Sequence, residues 1–576
     1  MPEVKNTFLK GKMNKDLDSR LLPNGEYREA QNVHITKSEG SDVGVIQNIK
    51  GNSTVGTITN QGTVIGYYAE SESKNGSNRI FYFVKGNADA YDSIYYYDTS
   101  TLPVSINRDN YTLAQIENEE DLYDFTTSPP KAIVQGSFLK FSTSHLITGV
   151  NLIDDLLFFT DDNNQPRKIN VQKAIDNNLF YNNEIKIAVA KYYPYLAPEV
   201  LNSDGTATGM QKGKTTQSVS TTLNSTDVTY TGGLNNDIFI GQNVSDAGSV
   251  IPAGTTVTEI SSNGLTETVT LSNSATATGT STLTFESEKD YIEEEFVRFA
   301  YRFKFKDGEY SLISPFTQHC FIPKTYNAAY GDDYHDAGLT DLQIKDAYKS
   351  TELESMINDV AQVNLKITLP STNVYSDYEI EKIEILYKEA DSPALKSVAQ
   401  EDISSFSGST YTYPYKSTLP YKTLPEDEIT RVYDNVPLKA KAQEITGNRL
   451  IYGNFEQNNN LPSIDFEASV GQKVNTTQKY HIQYPYHTIK QRRTYQVGLV
   501  LSDIHGRQSS VVLPSDQNKS AVRVEAKDNQ FDTQSWNGDA LRIIFNDVIP
   551  NSYDVTNNPL GWYSWKVVVK DRKSVV

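Results

Sequence analysis

A single cysteine, Cys320, stands among 576 residues. This excludes an intrachain disulfide and any zinc site built on several thiolates. Long apolar runs are missing as well, and no stretch approaches the roughly 18 residues of a membrane span. The opening MPEVKNTFLKGKMNK has lysines but no apolar core, so it does not read as a secretory signal. Basic charge is in deficit: 53 Lys and Arg stand against 72 Asp and Glu, a net charge of −19. A chain that binds nucleic acid by neutralising phosphates should carry the opposite sign. The seven histidines form neither HExxH nor His-x-His. Together these absences predict a soluble chain made in the cytosol, without metal, cofactor or membrane span.

Tyrosine is abundant, with 37 copies against three tryptophans and four methionines. Its ring packs while its hydroxyl stays hydrated, which suits strands with one buried and one wet face. VIGYYAE, RIFYFVKG and SIYYYDT are short β-branched and aromatic runs separated by Gly, Asn, Asp and Ser. HLITGVNLIDDLLFFTDDNNQPRKINV follows the same grammar, as does GNRLIYGNFEQN at 447–458. Short strands joined by tight polar turns predict a mainly β fold of propeller blades or sandwiches. Convincing helical periodicity is scarce: TDLQIKDAYKSTELESMINDVAQVNL (340–365) is the best case, with a smaller one at VQKAIDNN (171–178).

At one domain per 100–200 residues, the length suggests about three to five domains. Residues 1–55 read as an extended, polar N-terminal assembly arm, and 56–202 as a first propeller-like part. Residues 203–288 turn Ser/Thr/Gly-rich with period-2 Val, Ile and Leu, as in TVTEI and TVTLS. They predict a small β module inserted into its host. Residues 289–437 read as a fibronectin-like sandwich region with one helix. A later blade and a second sandwich-like region occupy 438–576. EEEFVRFAYRFKFKDGEYSLISPF (293–316) and RRTYQVGLVLSDIHGRQSSVVLP (492–514) form a weak internal repeat. Each has a Tyr-bearing strand, an Asp/Gly turn and a Ser-rich return strand, as in a hairpin of a fibronectin-type sandwich.

Motifs that could carry chemistry fail on inspection. Taken as a calcium loop, the run from Asp161 and Asp162 puts Pro166 where Gly is required and Gln172 where a bidentate Glu is required. Adjacent Asp and Asn are what tight turns prefer, so this run reads as a turn. GMQKGKTT (209–216) has three residues rather than four between its glycines and follows no apolar strand, so no phosphate cradle is read there. His319 beside Cys320 is expected to pack against the hairpin 298–316. His481 and His487, in HIQYPYH, read as packed or interface residues, and Glu293, Glu294 and Glu295 as a solvated charge run. No nucleophile elbow anchors a Ser-His-Asp set. Catalytic, metal and cofactor residues are therefore none. A carboxylate pair of the kind a glycosidase uses is never excluded among 72 acids.

KMNKDLDSRLLPNGEYREAQNVHI, followed by SEGSDVGVIQNIKGN, resembles the start of tail proteins of short-tailed bacteriophages. The likeness is to the nozzle or muzzle proteins of crAss-like and related phages. LFFTDDNNQPRKINV is similar to their blade turn, and FKDGEYSLISPF, GNRLIYGNFEQN and LSDIHGRQSSVV look like later signatures in the expected order. The resemblance implies a virion structural protein: a propeller-like platform with sandwich domains, set as a homo-oligomeric ring, six copies favoured. That ring would sit beneath the portal and adaptor rings and beside other tail proteins, as a conduit or plug through which double-stranded DNA passes without adhering. It implies no catalysis, a place in the virion tail after synthesis in the host cytoplasm, and a chain that often continues beyond WYSWKVVVKDRKSVV. The alternative is a tail-associated glycan hydrolase or receptor-binding protein using a carboxylate pair on a β platform.

Overall fold

The computed structural model describes residues 8, 10–35, 45–48, 62–70, 79–87, 91–98, 130–200, 209–230, 237–262, 267–287, 292, 295–321, 358–390, 392–416, 420, 422–431, 434–447, 449–457, 464–472, 489–525, 539–546 and 561–573. Strands dominate, and they fall into two compact units, Met1–Thr143 and Ser144–Val576. No helix of the described residues is long and apolar enough to cross a membrane.

In the first unit, β1 (Lys12–Met13) pairs in parallel with β2 (Glu26–Tyr27), and β3 (Val33–Ile35) pairs antiparallel with β4 (Ile46–Asn48). The polar N-terminal segment is thus a string of very short strands and turns. The aromatic runs then form an antiparallel meander of β5 (Gly62–Ala69), β6 (Arg79–Gly86), β7 (Ser93–Asp98) and β8 (Lys131–Gln135). Phe81, Phe83, Ile94 and Val134 fill its buried face. Asp92 ties it together, accepting from Lys85 Nζ at 2.8 Å, Gly86 N at 3.1 Å and Phe141 N at 2.8 Å.

The second unit opens with another meander, β9 (Gly149–Ile153), β10 (Leu156–Thr160) and β11 (Arg167–Asn170). Helix α1 (Val171–Asp176) follows, where VQKAIDNN predicts it, with Asn170 Oδ1 capping Lys173 N at 2.9 Å. Helix α2 (Glu184–Ile187) and strand β12 (Met210–Lys212) come next. GMQKGKTT is strand rather than phosphate loop. A Cβ at Gly209 would lie 2.7 Å from both Asn364 O and Val200 O, so this glycine permits close backbone approach.

Strands β13 (Lys214–Thr221), β14 (Asp227–Tyr230), β15 (Asn243–Asp246), β16 (Thr255–Ser262), β17 (Glu267–Leu271) and β18 (Gly279–Glu286) close into a barrel in the order 13-14-17-16-15-18. The alternating Val and Leu of these strands supply a core of their own, including Val219, Val228, Val257, Val269 and Leu283. The barrel begins and ends side by side. Lys214 pairs with Glu286, and Ser287 N donates to Gly213 O at 2.8 Å.

Next come β19 (Val297–Phe305), β20 (Val360–Thr368), helix α3 (Val374–Tyr378), β21 (Ile380–Glu389), β22 (Lys396–Asp402), β23 (Thr410–Tyr415), β24 (Lys422–Thr423) and helix α4 (Glu426–Thr430). The sheets β19-β21-β22-β24 and β12-β20-β23 share one apolar cluster that includes Phe299, Phe303, Val363, Leu365, Ile385 and Tyr415. Here the helix expected over 340–365 is corrected for its described part. Residues 360–365 are strand, because Val363, Leu365 and Ile367 alternate inward and Leu365 and Ile367 register against Tyr413 and Tyr411. Residues 340–357 lie outside the described residues.

The chain ends with the hairpin β25 (Lys439–Thr446)–β26 (Arg449–Glu456) and two more sheets. These are β27 (Phe466–Gln472) with β30 (Asp539–Phe545), and β28 (Arg493–Asp503) between β29 (Ala521–Val524) and β31 (Trp562–Lys573). Phe466, Val497, Leu499, Leu501 and Trp562 form the cluster these sheets share.

The internal repeat has a physical basis in its return strands. Opposite β19, the amides of Ser311, Ser314, Thr317 and Cys320 donate to the carbonyls of Phe303, Tyr301, Phe299 and Val297 at 2.8–2.9 Å. Three residues therefore advance for every two on β19. The hydroxyls fill the gaps: Phe303 N, Tyr301 N and Phe299 N donate to Ser311 Oγ, Ser314 Oγ and Thr317 Oγ1 at 2.9, 2.9 and 3.0 Å. Opposite β28, Ser509 repeats this unit, donating its amide to Leu501 O and accepting from Leu501 N, both at 2.9 Å.

Candidate functional site

Asp161 closes the strand β10, and its carboxylate is turned onto its own loop. Oδ1 accepts from Asn163 N at 3.1 Å and Asn164 N at 2.7 Å, while Oδ2 accepts from Asn164 Nδ2 at 2.6 Å. Asp162 takes the left-handed conformation at φ 57° and donates its amide to Ala440 O of β25 at 3.1 Å. Both residues therefore shape the turn, and the Asp161 carboxylate is taken up by donors of its own loop.

The residues that follow connect this turn to the second serine hairpin, some 340 positions away. Arg507 Nη2 donates to Gln165 Oε1 at 2.9 Å, which fixes the orientation of the Gln165 amide. Gln165 Nε2 then donates to His505 Nε2 at 3.1 Å, so the ring proton sits on Nδ1 and points to Lys191 O at 3.3 Å. Full burial, and then the positive charge of Arg507, lower the His505 pKa and keep the ring neutral. Asp503 accepts the amides of His505 and Arg507 at 2.9 Å each and pairs with Arg507 Nε at 2.6 Å. The third arginine nitrogen, Nη1, donates to Pro437 O at 3.1 Å, just before β25. Gly506 completes the turn at φ 79°. A Cβ there would lie 2.4 Å from Leu312 Cδ1 of the first serine hairpin.

That first hairpin joins the cluster through charge. Lys168 of β11 donates to Glu309 at 3.0 Å, and Lys191 pairs with Asp307. Burial opposes ionisation of Asp307, but Lys191 and Lys168 outweigh it and hold its carboxyl below the usual range. Four stretches distant in sequence, DDNNQPRK, FKDGEYSL, the β25–β26 hairpin and LSDIHGRQ, thus meet at one polar junction. Three of these stretches stand out in the sequence, but the contacts at Pro437 and Ala440 and the meeting itself do not, because spacing within a loop does not reveal which loop it touches.

What this junction can do chemically is limited. Both His505 nitrogens are engaged, and the Asp503 and Asp161 carboxylates are occupied by donors. Among the described residues no group of three His, Cys, Asp or Glu side chains could hold a metal ion. Glu384 and Glu428 flank the buried Arg302, which pairs with them at 2.5 and 2.6 Å. Cys320 is buried in the core beside Val297, and burial pushes its thiol up to about 12, out of the reactive range. Burial and Arg298 lower the pKa of the half-buried His319. Glu293, Glu294, His481 and His487 lie outside the described residues.

A cleft of about 450 Å³ is lined in part by residues of both serine hairpins. Tyr193, Phe316, Lys388, Arg431, Gln508 and Trp565 line parts of it. Its described lining contains no carboxylate.

No family model matches the chain, and no curated protein does. Among solved structures, "Phage phi92 endosialidase" aligns at 9% identity with a TM-score of 0.12, over 78% of this chain and 56% of that one. The chain therefore spans little more than half of that structure's length. Similarity this slight carries no argument about fold or function.

Proposed function

We propose that the chain is a structural subunit of a short-tailed phage tail, built into a homo-oligomeric ring of nozzle or muzzle type, and that it is not an enzyme. In this reading the meanders are blades of a propeller-like platform, and the layered sheet pairs are fibronectin-like sandwiches. The ring docks against adaptor and other tail proteins and lets double-stranded DNA pass without holding it. One observation carries the reading. Three of the stretches that resemble the tail family, DDNNQPRK, FKDGEYSL and LSDIHGRQ, converge on one junction, where their polar groups hold distant parts of the chain together. Such a junction makes a rigid building block, and rigidity is what a tail under load requires. The absence of carboxylates from the described cleft lining also disfavours two-carboxylate hydrolysis at that cleft.

The test is fractionation of purified particles alongside an activity assay on the isolated protein. The chain is expected in the tail fraction at several copies per particle, with no reducing sugar released from host polysaccharide. Sugar release that disappears when a single carboxylate is replaced would overturn the proposal in favour of a hydrolase.

A further inference from the structure

The cleft beside the serine hairpins has no part in the junction chemistry. It is concave and within the range of small-ligand sites. Its charge is opposite to that of the chain: Lys388, Arg431 and Lys566 line it without a described carboxylate, in a molecule with 72 acids and 53 bases. Lys388 and Lys566 make no ion pair among the described residues. Lys388 Nζ instead lies 5.9 Å from the centroid of the Phe316 ring. Arg431 is held in place by Asp434 at 3.0 Å and by Tyr310 O at 3.5 Å, so its guanidinium is oriented before any ligand arrives. Trp565 is 58% exposed, an unusual cost for the largest apolar side chain, and packs on Phe545 at 4.9 Å between ring centroids. Tyr195 packs likewise on Tyr563 at 4.9 Å. Tyr193 adds a hydroxyl to the wall, 3.3 Å from Ser564 Oγ.

We infer that this cleft binds an acidic saccharide. Exposed indole and phenol rings offer flat faces to the C–H face of a pyranose. Tyrosine and serine hydroxyls suit its hydroxyl groups, and Lys388 and Lys566 suit its acidic substituent. With no carboxylate in the described lining, the cleft holds such a ligand without cleaving it. Single-stranded nucleic acid also combines rings with charge, but it is a dense polyanion, and a chain of net charge −19 repels it at long range. An acidic peptide supplies the charge but no ring face for Trp565. The inference does not depend on the proposed assembly role.

The test is a titration of the full chain followed by tryptophan fluorescence and calorimetry. The probes are tetragalacturonate, a sulfated tetrasaccharide from heparin, neutral maltotetraose, oligothymidylate and oligoglutamate. An acidic tetrasaccharide is expected to bind with a Kd below about 1 mM, at least about tenfold tighter than maltotetraose. Preference for the galacturonate assigns the charge to carboxylate, and preference for the heparin fragment assigns it to sulfate. Lys388→Gln with Lys566→Gln, and separately Trp565→Ala, should each weaken binding about tenfold. Both variants should still unfold cooperatively with at most a small drop in thermal midpoint, since Trp565 and Lys566 are exposed and Lys388 is half-buried without a described ion pair. Three outcomes overturn the inference: no binding of either acidic sugar, equal binding of maltotetraose, or tighter binding of oligothymidylate or oligoglutamate.

Discussion

Replacing Asp161 with alanine removes the acceptor for two backbone amides and the Asn164 side chain at once, at a site only 3% exposed. Asp161→Ala should cost about 2–3 kcal/mol, and Asp161→Asn less, because one side-chain oxygen still accepts. Urea denaturation checks both, and an unchanged midpoint for Asp161→Ala would contradict the turn role. His505 provides the pH test. Its folded pKa lies below the unfolded value of about 6.5, so the unfolded state binds more protons between the two values. The stability it contributes is present above the unfolded pKa and is lost as pH falls through the folded one. Thermal melts should therefore drop between about pH 7 and pH 5, and His505→Gln should flatten that drop. The turn role of Asp161 was legible in the sequence because Asx chemistry is local. The neutrality of His505 was not, since it comes first from burial and from Gln165, which arrives from some 340 positions away, with Arg507 of the same turn adding to it.

Alternation made most strands legible, as in RIFYFVKG and VRFAYRFKF, because one buried face imposes a period of two. It was less clear at VAQVNLKIT, where Val360 and Val363 imitate a helical stripe and only the pairing with β23 decides. The serine device was visible as a Ser-rich return strand, but its mechanism depends on a register that only the folded hairpin defines. Ser314→Ala leaves the buried Tyr301 amide without its acceptor and should cost about 1–3 kcal/mol, whereas Ser314→Thr keeps the hydroxyl and should cost less. Equal losses in calorimetry would remove the hydroxyl from the explanation. The barrel offers a larger test. Its ends lie together and its core is its own, so deletion of residues 214–286 with a short Gly/Ser bridge, which keeps β12 in the host sheet, should leave a folded host. Loss of soluble, cooperatively unfolding protein would show that the host needs the barrel.

Across the whole molecule, the acidic balance bears on the proposed conduit role. A conduit has to avoid tight phosphate contacts, whose affinity falls steeply with salt. The purified protein should show no retention of double-stranded DNA at physiological salt in a gel-shift assay, and submicromolar, salt-sensitive binding would count against the conduit. The mainly β character could be read from composition, but the junction could not, because it exists only where four distant stretches meet. The central claim is the proposal that this chain, stiffened by the junction, is a subunit of a tail ring. Cryo-electron microscopy of the intact particle tests it most directly. The result expected is a closed ring of copies of this chain in the tail below the portal, six being the favoured number, with the Gln165–His505–Arg507 cluster inside each subunit. Tail density fully accounted for by other chains, with this one absent, would contradict it.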